Sequence, residues 1–244
     1  MSLTDMAIAR IRELIRSGAL PPGSKLPPEQ QLAADLGLSR NLMREAVKAL
    51  AVARVLEVRR GDGTYVTSLA PGVLLENLAS AVELLTGETL LELTETRRLL
   101  EPAATALAAT RIDDAALTKL AGHLDAMRAS RHSPEQLNLH DAAFHRTIVA
   151  ATGNETLTTL LEGISSRTLR ARVWRGLVDG RAADQAITEH EAIHRALAAR
   201  DAPLAQAAAL MHVTTTENWL RANLHRPEEG QRVGSSSEVA RTLP

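Results

Sequence analysis

The sequence predicts a mainly α-helical protein in which three helices and a β-hairpin are followed by an all-helical antiparallel bundle. Two observations favour this fold class. Only four residues are aromatic (two Trp, one Tyr and one Phe), so the core must consist mostly of Leu, Ala, Val and Ile, which favours packed helices over a β-sandwich. Apolar residues also recur at helical spacing along most of the chain, and interruptions rich in Gly, Pro, Ser and Asn divide this pattern into helix-sized segments.

Length and composition restrict the class of protein further. With 244 residues, 45% of them hydrophobic, the chain is long enough for one large domain or two modest ones. It has no cysteine, no charged-then-apolar leader and no uninterrupted apolar run of the length that a bilayer requires. We therefore expect a soluble, cytoplasmic protein that has no membrane partner.

The two parts of the chain differ in net charge. Residues 1–68 contain ten Lys and Arg against seven Asp and Glu, a net charge of +3, whereas residues 69–244 contain eighteen against twenty-two, a net charge of −4. This asymmetry is expected when only the N-terminal part contacts a polyanion, although ordinary surface variation explains a charge of +3 equally well.

Changes in composition divide the chain into four segments. Residues 1–68 form the N-terminal domain, residues 69–75 a connector, and residues 76–226 the helical domain. Residues 227–244 are polar and rich in Gly and Ser, so we expect a disordered tail. From the connector onward, apolar periodicity predicts helices at residues 73–86, 89–110, 113–130, 134–152, 154–177, 182–200 and 202–224.

The N-terminal domain begins with two predicted helices. In the first, Ile8, Ile11 and Ile15 share one face, with Thr4 as the N-cap and Gly18 as the end of the helix. The second is short: it begins at the prolines of the segment PPEQQLAADLG, and its two leucines share a face before the closing glycine.

The third predicted helix has an apolar face and a basic face. Ser39 caps it, and its apolar face consists of Leu42, Ala46, Val47 and Leu50. Arg40, Arg44 and Lys48 recur every four residues on the other side. Two helices joined by a short connection, the second with cationic residues in its first turns, are typical of a recognition helix whose N-terminal end enters the major groove of DNA.

The segment at residues 55–67 predicts a β-hairpin with a basic tip. Two β-rich runs flank the turn Gly61-Asp62-Gly63, and Arg59 and Arg60 precede this turn. A helix-turn-helix followed by such a wing is a DNA-binding layout, because the wing can reach phosphates or an adjacent minor groove. A solvated basic face on a small helical domain is the alternative interpretation.

The segment LPPEQQLAADLGLSRNLMREAVKALAVARVLEVRRGDGTYV resembles the winged helix-turn-helix of GntR-family bacterial transcription regulators. The shared residues are, in order, Leu-Pro-x-Glu, Ser-Arg, Arg-Glu-Ala and the Gly-Thr of the wing, and the resemblance covers residues 5–68. It implies that the third helix contacts operator bases or phosphates, that Asn41 tunes sequence preference, and that the wing tip also approaches DNA. The DNA-binding residues are then Arg40, Asn41, Arg44, Lys48, Arg60, Gly61 and Gly63.

Two positions depart from the pattern of that family. Gln30 stands where many members carry an arginine that contacts DNA, so this chain lacks the side chain that makes that contact. Arg54 stands where a glycine is usual before the wing.

Four polar residues lie on the apolar faces of three predicted helices in the C-terminal part. Asp141 and His145 lie four residues apart on one helix, and His190 and His212 each lie on another. The apolar face predicted around His212 consists of Leu204, Ala208, Thr215 and Trp219. Because an unpaired buried carboxylate is costly and buried imidazoles need partners, these side chains are expected to converge on one another or on a metal ion. A hydrogen-bonded core cluster without metal is the alternative.

Residues 90–222 resemble the all-helical, FCD-type effector domain of the FadR subfamily of GntR regulators, in the version where Asp-x-x-x-His, then Glu-His, then a later histidine bind a metal. The resemblance implies that Asp141, His145, His190 and His212 bind a divalent transition metal. One carboxylate and three imidazoles suit Zn, Ni, Mn or Fe(II) better than Ca or Mg, and Zn is the first candidate.

The resemblance also covers the segment ELTETRRLLEP, the first helix of the effector domain. It implies that Arg97 points into the effector pocket, and Glu101, one turn later, can orient it. Arg97 would then bind the carboxylate of a small organic acid, and a surface or interhelical ion pair is the alternative. His194 is outside the implied ligand set, so we expect it to line the pocket or to be structural.

These observations predict a DNA-binding transcription regulator, a repressor by family resemblance, and not an enzyme. One winged domain contacts few bases, so a homodimer that reads a palindromic double-stranded operator is expected. Two alternatives use the same side-chain cluster: a regulator that responds to the metal ion itself, and a metal-dependent hydrolase with His194 or Glu191 as general base. The hydrolase leaves the basic helix and the wing without a role.

Overall fold

Helices form most of the chain in the computed structural model, which describes residues 2–75 and 87–224. The N-terminal elements are α1 (Leu3–Arg16), α2 (Glu29–Asp35), α3 (Arg40–Val52), β1 (Leu56–Arg59), β2 (Gly63–Val66) and the short α4 (Pro71–Leu74). The C-terminal elements are α5 (Gly87–Ala109), α6 (Asp114–Ala129), α7 (Pro134–Ala150), α8 (Glu155–Val178), α9 (Ala182–Ala198) and α10 (Ala202–Asn223). Most of the predicted helix at 73–86, and the predicted tail at 227–244, lie outside the described residues.

The beginning of α1 differs from the prediction. Ser2, not Thr4, is the N-cap: its Oγ accepts from the Asp5 backbone N–H at 3.0 Å, while Asp5 Oδ2 accepts from the Ser2 N–H at 2.7 Å. This reciprocal capping box satisfies two backbone donors, one more than Thr4 alone could satisfy, so the helix begins earlier than predicted. Ile11 is fully buried, as its position on the apolar face predicts.

Helix α3 carries the two faces that the sequence predicts, with one change in its apolar face. Ser39 is the N-cap, and its side chain accepts from the Leu42 backbone N–H at 3.3 Å. Met43 is fully buried whereas Leu42 is only half-buried, because the buried row of α3 runs through positions 43, 46, 47 and 50. This row packs against α1 and α2, and it leaves the basic face of α3 in solvent.

The predicted hairpin wing is confirmed. Strands β1 and β2 pair in antiparallel register from Leu56 opposite Val66 to Arg59 opposite Gly63. Leu56 and Val66 are both buried in the N-terminal core, which anchors the base of the wing, while the tip extends into solvent.

The turn between α3 and the wing contains a residue in the left-handed backbone region. Arg54 has φ 59°, the Arg54 N–H donates to the Ala51 carbonyl, and the Val55 N–H donates to the Leu50 carbonyl. This pair of bonds is the Schellman arrangement that ends many helices, and it favours glycine at the position of Arg54. The structure therefore explains why a glycine is the usual residue here.

The C-terminal helices form a bundle with one large and one small cluster of buried apolar side chains. Helix α6 packs against α7, α7 against α8 and α9 against α10, and α5 packs against α8 and α10. Because the connections after α6, α7 and α9 are short, these consecutive helices are antiparallel neighbours. Phe144, Ile148, Ile193 and Leu197 are fully or almost fully buried at the centre. None of the helices in residues 2–75 and 87–224 is long and apolar enough to cross a bilayer.

The buried face of α10 is rotated from the predicted one. Its buried apolar residues are Ala205, Ala209, Val213 and Leu220, whereas Leu204 is 53% exposed. The prediction was wrong because alanines occupy both faces at the start of this helix, so local apolar periodicity does not separate the two faces. His212 is buried on the observed face as well.

Candidate functional site

The structure brings together the four polar residues predicted to converge. Asp141 and His145 project from consecutive turns of α7, His190 projects from α9 and His212 from α10. Each is at most 7% exposed, and one potential ligand atom from each lies within 4.8 Å of all the others. We call this group the metal cluster, because its donor set could hold a metal ion.

The outer ring nitrogens of two histidines have fixed partners. His190 Nδ1 donates to the Ala186 carbonyl at 2.6 Å, and His212 Nδ1 donates to Glu189 Oε2 at 2.9 Å. A carbonyl oxygen and a carboxylate only accept, so the proton of each neutral ring is on Nδ1. The Nε2 lone pair of both histidines therefore points toward the centre of the metal cluster, which is the orientation that a metal ligand needs.

One pair of inner atoms of the metal cluster faces each other without a proton between them. His190 Nε2 lies 3.1 Å from Asp141 Oδ1 and has no hydrogen-bond partner among the described residues, and His145 Nε2 lies 3.2 Å from His212 Nε2. Atoms bonded to one transition metal at about 2.1 Å lie about 3 Å apart when they are adjacent ligands. The spacing and the facing lone pairs both fit a bound cation.

Burial also keeps these histidines in the form that binds metal. Loss of hydration lowers the pKa of His190 and of His212 to about 4, and it lowers the pKa of His145 well below its usual value. All three rings are neutral near pH 7, so each offers a lone pair rather than a second proton.

An arginine that the sequence analysis missed contacts the cluster. Arg172 on α8 is 6% exposed, and its Nη1 forms an ion pair with Asp141 Oδ2. Its Nη2 donates to the carbonyl of Ser165 at 3.2 Å and to the Ser165 hydroxyl at 3.3 Å. Burial lowers the pKa of Arg172 to about 9, so it remains a cation at pH 7. Arg172 lies three residues before Arg175, so the two arginines share a face of α8 with Thr168 and Ala171, which are buried. The spacing of the two arginines was the signal available in the sequence.

Arg97 is buried and bound to Glu101, the residue predicted to orient it. Arg97 Nε and Nη2 donate to the two carboxylate oxygens of Glu101 at 2.6 and 3.2 Å, and Nη1 donates to Thr168 Oγ1 at 3.1 Å. Burial raises the pKa of Glu101, but the positive charge of Arg97 and its hydrogen bonds outweigh burial and lower this pKa to about 2. Both members of this ion pair are therefore charged, and Glu101 Oε2 lies 3.8 Å from His145 Nδ1.

Two cavities reach the metal cluster from different sides. The first, which we call the arginine cavity, has a volume of about 40 Å³, and the lining residues that matter here are Asp141, Arg172, Arg175, Glu189, His212 and Thr216. Arg175 is held in its wall by bonds to Thr216 Oγ1 at 3.3 Å and Gln185 Oε1 at 2.8 Å.

The second, which we call the serine cavity, lies between α7 and α8 and has a volume of about 280 Å³. Its polar lining residues are Glu101, His145, Arg146, Glu162, Ser165 and Ser166.

The predicted DNA-binding residues of α3 are all exposed. Arg44 donates to Asn41 Oδ1 at 3.1 Å, and Lys48 pairs with Glu45 at 3.0 Å, each within one turn of the helix. Arg40 makes no side-chain hydrogen bond or ion pair with the described residues and lies at the N-terminal end of α3.

The two arginines near the wing tip differ in how they are held. Arg59 pairs with Glu57 at 2.9 Å and lies over the Tyr65 ring at 4.2 Å. Arg60 has no side-chain hydrogen bond or ion pair within residues 2–75 and 87–224, and it is exposed next to Gly61. Arg60 is therefore the wing arginine that is free to bind another molecule.

The fold defines a class: a winged helix-turn-helix joined to a helical domain with a buried polar cluster is a DNA-binding regulator. Comparison with known families agrees, since residues 3–66 match the family of bacterial regulatory proteins named gntR, and residues 92–215 match the FCD domain. The chain belongs to the GntR family and carries an FCD domain. Both domains are those of transcription regulators, which leaves the hydrolase alternative without support.

Individual relatives support this assignment along most of the chain. The chain is 33% identical to the HTH-type transcriptional regulator LutR of Bacillus subtilis, covering 85% of this chain and 96% of that protein. It is 29% identical to the galactonate operon transcriptional repressor of Escherichia coli, covering 91% and 98%. The solved structure of a Streptococcus agalactiae GntR protein superposes with a TM-score of 0.61 at 30% identity, covering 88% and 99%.

Proposed function

We propose that this regulator is a repressor whose FCD domain binds a small carboxylic acid at a divalent metal ion and thereby releases its operator. The observation that carries the proposal is the contact between His190 Nε2 and Asp141 Oδ1 at 3.1 Å, two buried acceptors with no proton between them. A cation bound by both atoms removes their repulsion. Without one, the interior of the domain retains an unfavourable contact.

The proposed ligands of the metal are Asp141, His145, His190 and His212. Their donor set favours Zn first, with Ni, Mn or Fe(II) as alternatives. A bound metal supplies a Lewis acid that attracts the carboxylate of the effector. Glu189 and the Ala186 carbonyl hold two of the rings in the ligand orientation, which reduces the cost of forming the site.

The arginine cavity is the proposed effector site. It is lined by two ligands of the cluster and by the cations of Arg172 and Arg175, so it attracts an anion that reaches the metal. Arg172 already lines this cavity, whereas Arg97, the anchor expected from the family resemblance, must exchange a bond to Glu101 for one to the effector. Effector affinity measured in Arg97→Gln and in Arg172→Gln separates the two, because only the true anchor loses binding by tenfold or more, about 1.4 kcal/mol.

The N-terminal domain, proposed as residues 1–68, is the DNA-binding part. The major groove is contacted by four residues of α3: Arg40, Asn41, Arg44 and Lys48. In the wing, Arg60 reaches phosphates or the minor groove, and Gly61 and Gly63 let the wing backbone come close to the DNA. The helical domain, proposed as residues 76–226, joins two protomers in a homodimer, so that two winged domains read a palindromic operator in the cytoplasm.

The test combines metal analysis with operator binding. We expect protein purified without added metal to contain about one transition metal per chain, and operator binding in a gel shift to weaken with one member of a panel of small carboxylic acids. His190→Ala should lose both the metal and the response to the acid. The matched control is His194→Ala, since His194 lies on the same helix outside the metal cluster, with its Nε2 3.4 Å from the Leu117 carbonyl.

Two results would contradict the proposal. A full response to the acid in metal-free protein would remove the metal from the mechanism. A change in operator affinity on chelation alone, without any acid in the panel acting, would instead favour the regulator that responds to the metal ion itself.

A further inference from the structure

The two cavities that reach the metal cluster have walls of different charge. Three arginines (Arg131, Arg172 and Arg175) and two carboxylates (Asp141 and Glu189) line the arginine cavity, which gives it an excess of positive charge. One arginine (Arg146), two carboxylates (Glu101 and Glu162) and two serine hydroxyls line the serine cavity, which gives it an excess of negative charge. Cationic walls repel an incoming metal ion, whereas carboxylate and hydroxyl oxygens replace part of its hydration shell.

The mouth of the serine cavity can open at low cost. Its rim carries Arg146 and Glu162, whose Nε and Oε1 atoms are 4.0 Å apart, and both side chains are exposed. Exposed pairs of this length contribute little to stability, so the carboxylate of Glu162 is available to an approaching cation.

The ligand that borders the serine cavity is also the least restrained one. His190 and His212 are each fixed by a hydrogen bond from Nδ1, but His145 Nδ1 has no hydrogen-bond partner among the described residues. The nearest carboxylate oxygen, Glu101 Oε2, is 3.8 Å away, which is beyond hydrogen-bond distance. The Nδ1 atom of His145 is therefore the one outer nitrogen of the three rings that is not fixed, and the ring is held through its Nε2 contact with His212 at 3.2 Å.

We propose that the serine cavity is the entry route of the metal ion and that His145 is the first ligand it meets. This inference rests on the metal site proposed above. The volume of about 280 Å³ admits a partly hydrated divalent cation. The metal and the acid then reach the cluster from different sides, so a bound acid does not block exchange of the metal.

The test measures how fast the metal-free, full-length protein takes up Co²⁺, followed by the absorbance of the bound ion after rapid mixing. Ser166 is exposed and lines the serine cavity, so Ser166→Phe places a bulky ring at its mouth, and we expect uptake about tenfold slower with the final Co²⁺ content at the wild-type level. Glu162→Gln keeps the shape of the rim and removes its charge, and we expect uptake about threefold slower with a weaker dependence on salt. Ala183→Phe, placed in the wall of the arginine cavity, is the matched control and should load at the wild-type rate.

The outcomes separate this inference from the function it rests on. Wild-type uptake rates in both Ser166→Phe and Glu162→Gln, or slow uptake in Ala183→Phe, would overturn the entry route and leave the metal site standing. Failure of the wild-type protein to bind Co²⁺ at equilibrium would overturn the metal site itself, and the route with it. Because Glu162 is exposed, Glu162→Gln provides the rate comparison even if Ser166→Phe does not fold.

Discussion

His190 Nε2 faces Asp141 Oδ1 at 3.1 Å in the interior of the FCD domain. The ring proton of His190 is on Nδ1, on the opposite side of the ring, where it is donated to the Ala186 carbonyl in a hydrogen bond. Both facing atoms are hydrogen-bond acceptors, and both are shielded from water. Folding of the metal-free chain must therefore bring together two groups that repel each other, and this links metal binding to stability.

Metal binding is expected to stabilise the fold. At a free metal concentration about 1,000 times the dissociation constant, one site adds about 4 kcal/mol to the free energy of unfolding. Urea titration of the protein with and without Zn²⁺ measures this difference. It should vanish in His190→Ala and persist in His194→Ala, and an equal response of the two variants would contradict a site at His190.

The hydrogen bond from His212 Nδ1 to Glu189 is expected to raise metal affinity. Glu189→Gln removes the negative charge that fixes the orientation of the His212 ring and polarises it. The dissociation constant for Zn²⁺ should therefore rise about 10-fold to 100-fold, and competition with a chelator measures this change. Glu191→Gln is the matched control, because Glu191 lies two residues further along α9 and pairs with Arg128 on the surface. Equal affinities of the two variants would show that the bond to Glu189 does not support the site.

The stability of the metal-free protein is expected to fall as the pH is lowered from about 6.5 to about 4. Burial lowers the pKa of His190 and of His212 to about 4, so the unfolded chain takes up these protons at higher pH than the folded chain does. Acid therefore favours the unfolded state, by about 3 kcal/mol for each histidine across this range. Urea titrations at pH 7 and pH 4 measure the loss.

The control for this pH dependence is a variant in which both histidines are replaced by glutamine. Carboxylates away from the metal cluster contribute equally to the variant and to the wild type, so the difference between the two proteins reports the two histidines together with their contacts to Asp141 and Glu189. A variant with an undiminished pH dependence would contradict the assignment.

Arg54→Gly is expected to stabilise the N-terminal domain by about 1 kcal/mol. Arg54 has φ 59°, a backbone conformation that costs a side-chain-bearing residue about 1 kcal/mol and glycine almost nothing. Thermal unfolding measures the change. Ala53→Gly is the control, because Ala53 has φ −74° and gains nothing from the freedom of glycine, so it should be neutral or destabilising.

Arg60→Ala is expected to weaken operator binding more than Arg59→Ala. Arg60 is free of side-chain partners among the described residues, whereas Arg59 is held by Glu57 and Tyr65. Loss of one phosphate contact lowers the slope of log affinity against log salt concentration by about 1, which titrations at several salt concentrations measure. A larger effect of Arg59→Ala would place the wing differently on DNA.

Local sequence signals predicted the elements and the inward polar residues. The cap at Ser39, the turn at Gly61 and the spacing of Asp141 and His145 all depend on neighbours within about four residues, which is the range over which a helix or a turn determines its own geometry. Where two local solutions compete, the prediction was wrong, as for the N-cap Thr4 and for the buried face of α10, where alanines occupy more than one face.

Only the packing of helices distant in sequence decided how the site is built. The ion pair of Arg172 with Asp141, the bond of His212 to Glu189 and the two cavities on either side of the cluster all join different helices. Such contacts depend on crossing angles and on rotation about each helix axis, which follow from the fit of the whole core and not from periodicity within one segment. The sequence therefore predicted which ligands point inward, whereas the tertiary structure determined the hydrogen-bond and ion-pair partners of these ligands and the cavities that lead to them.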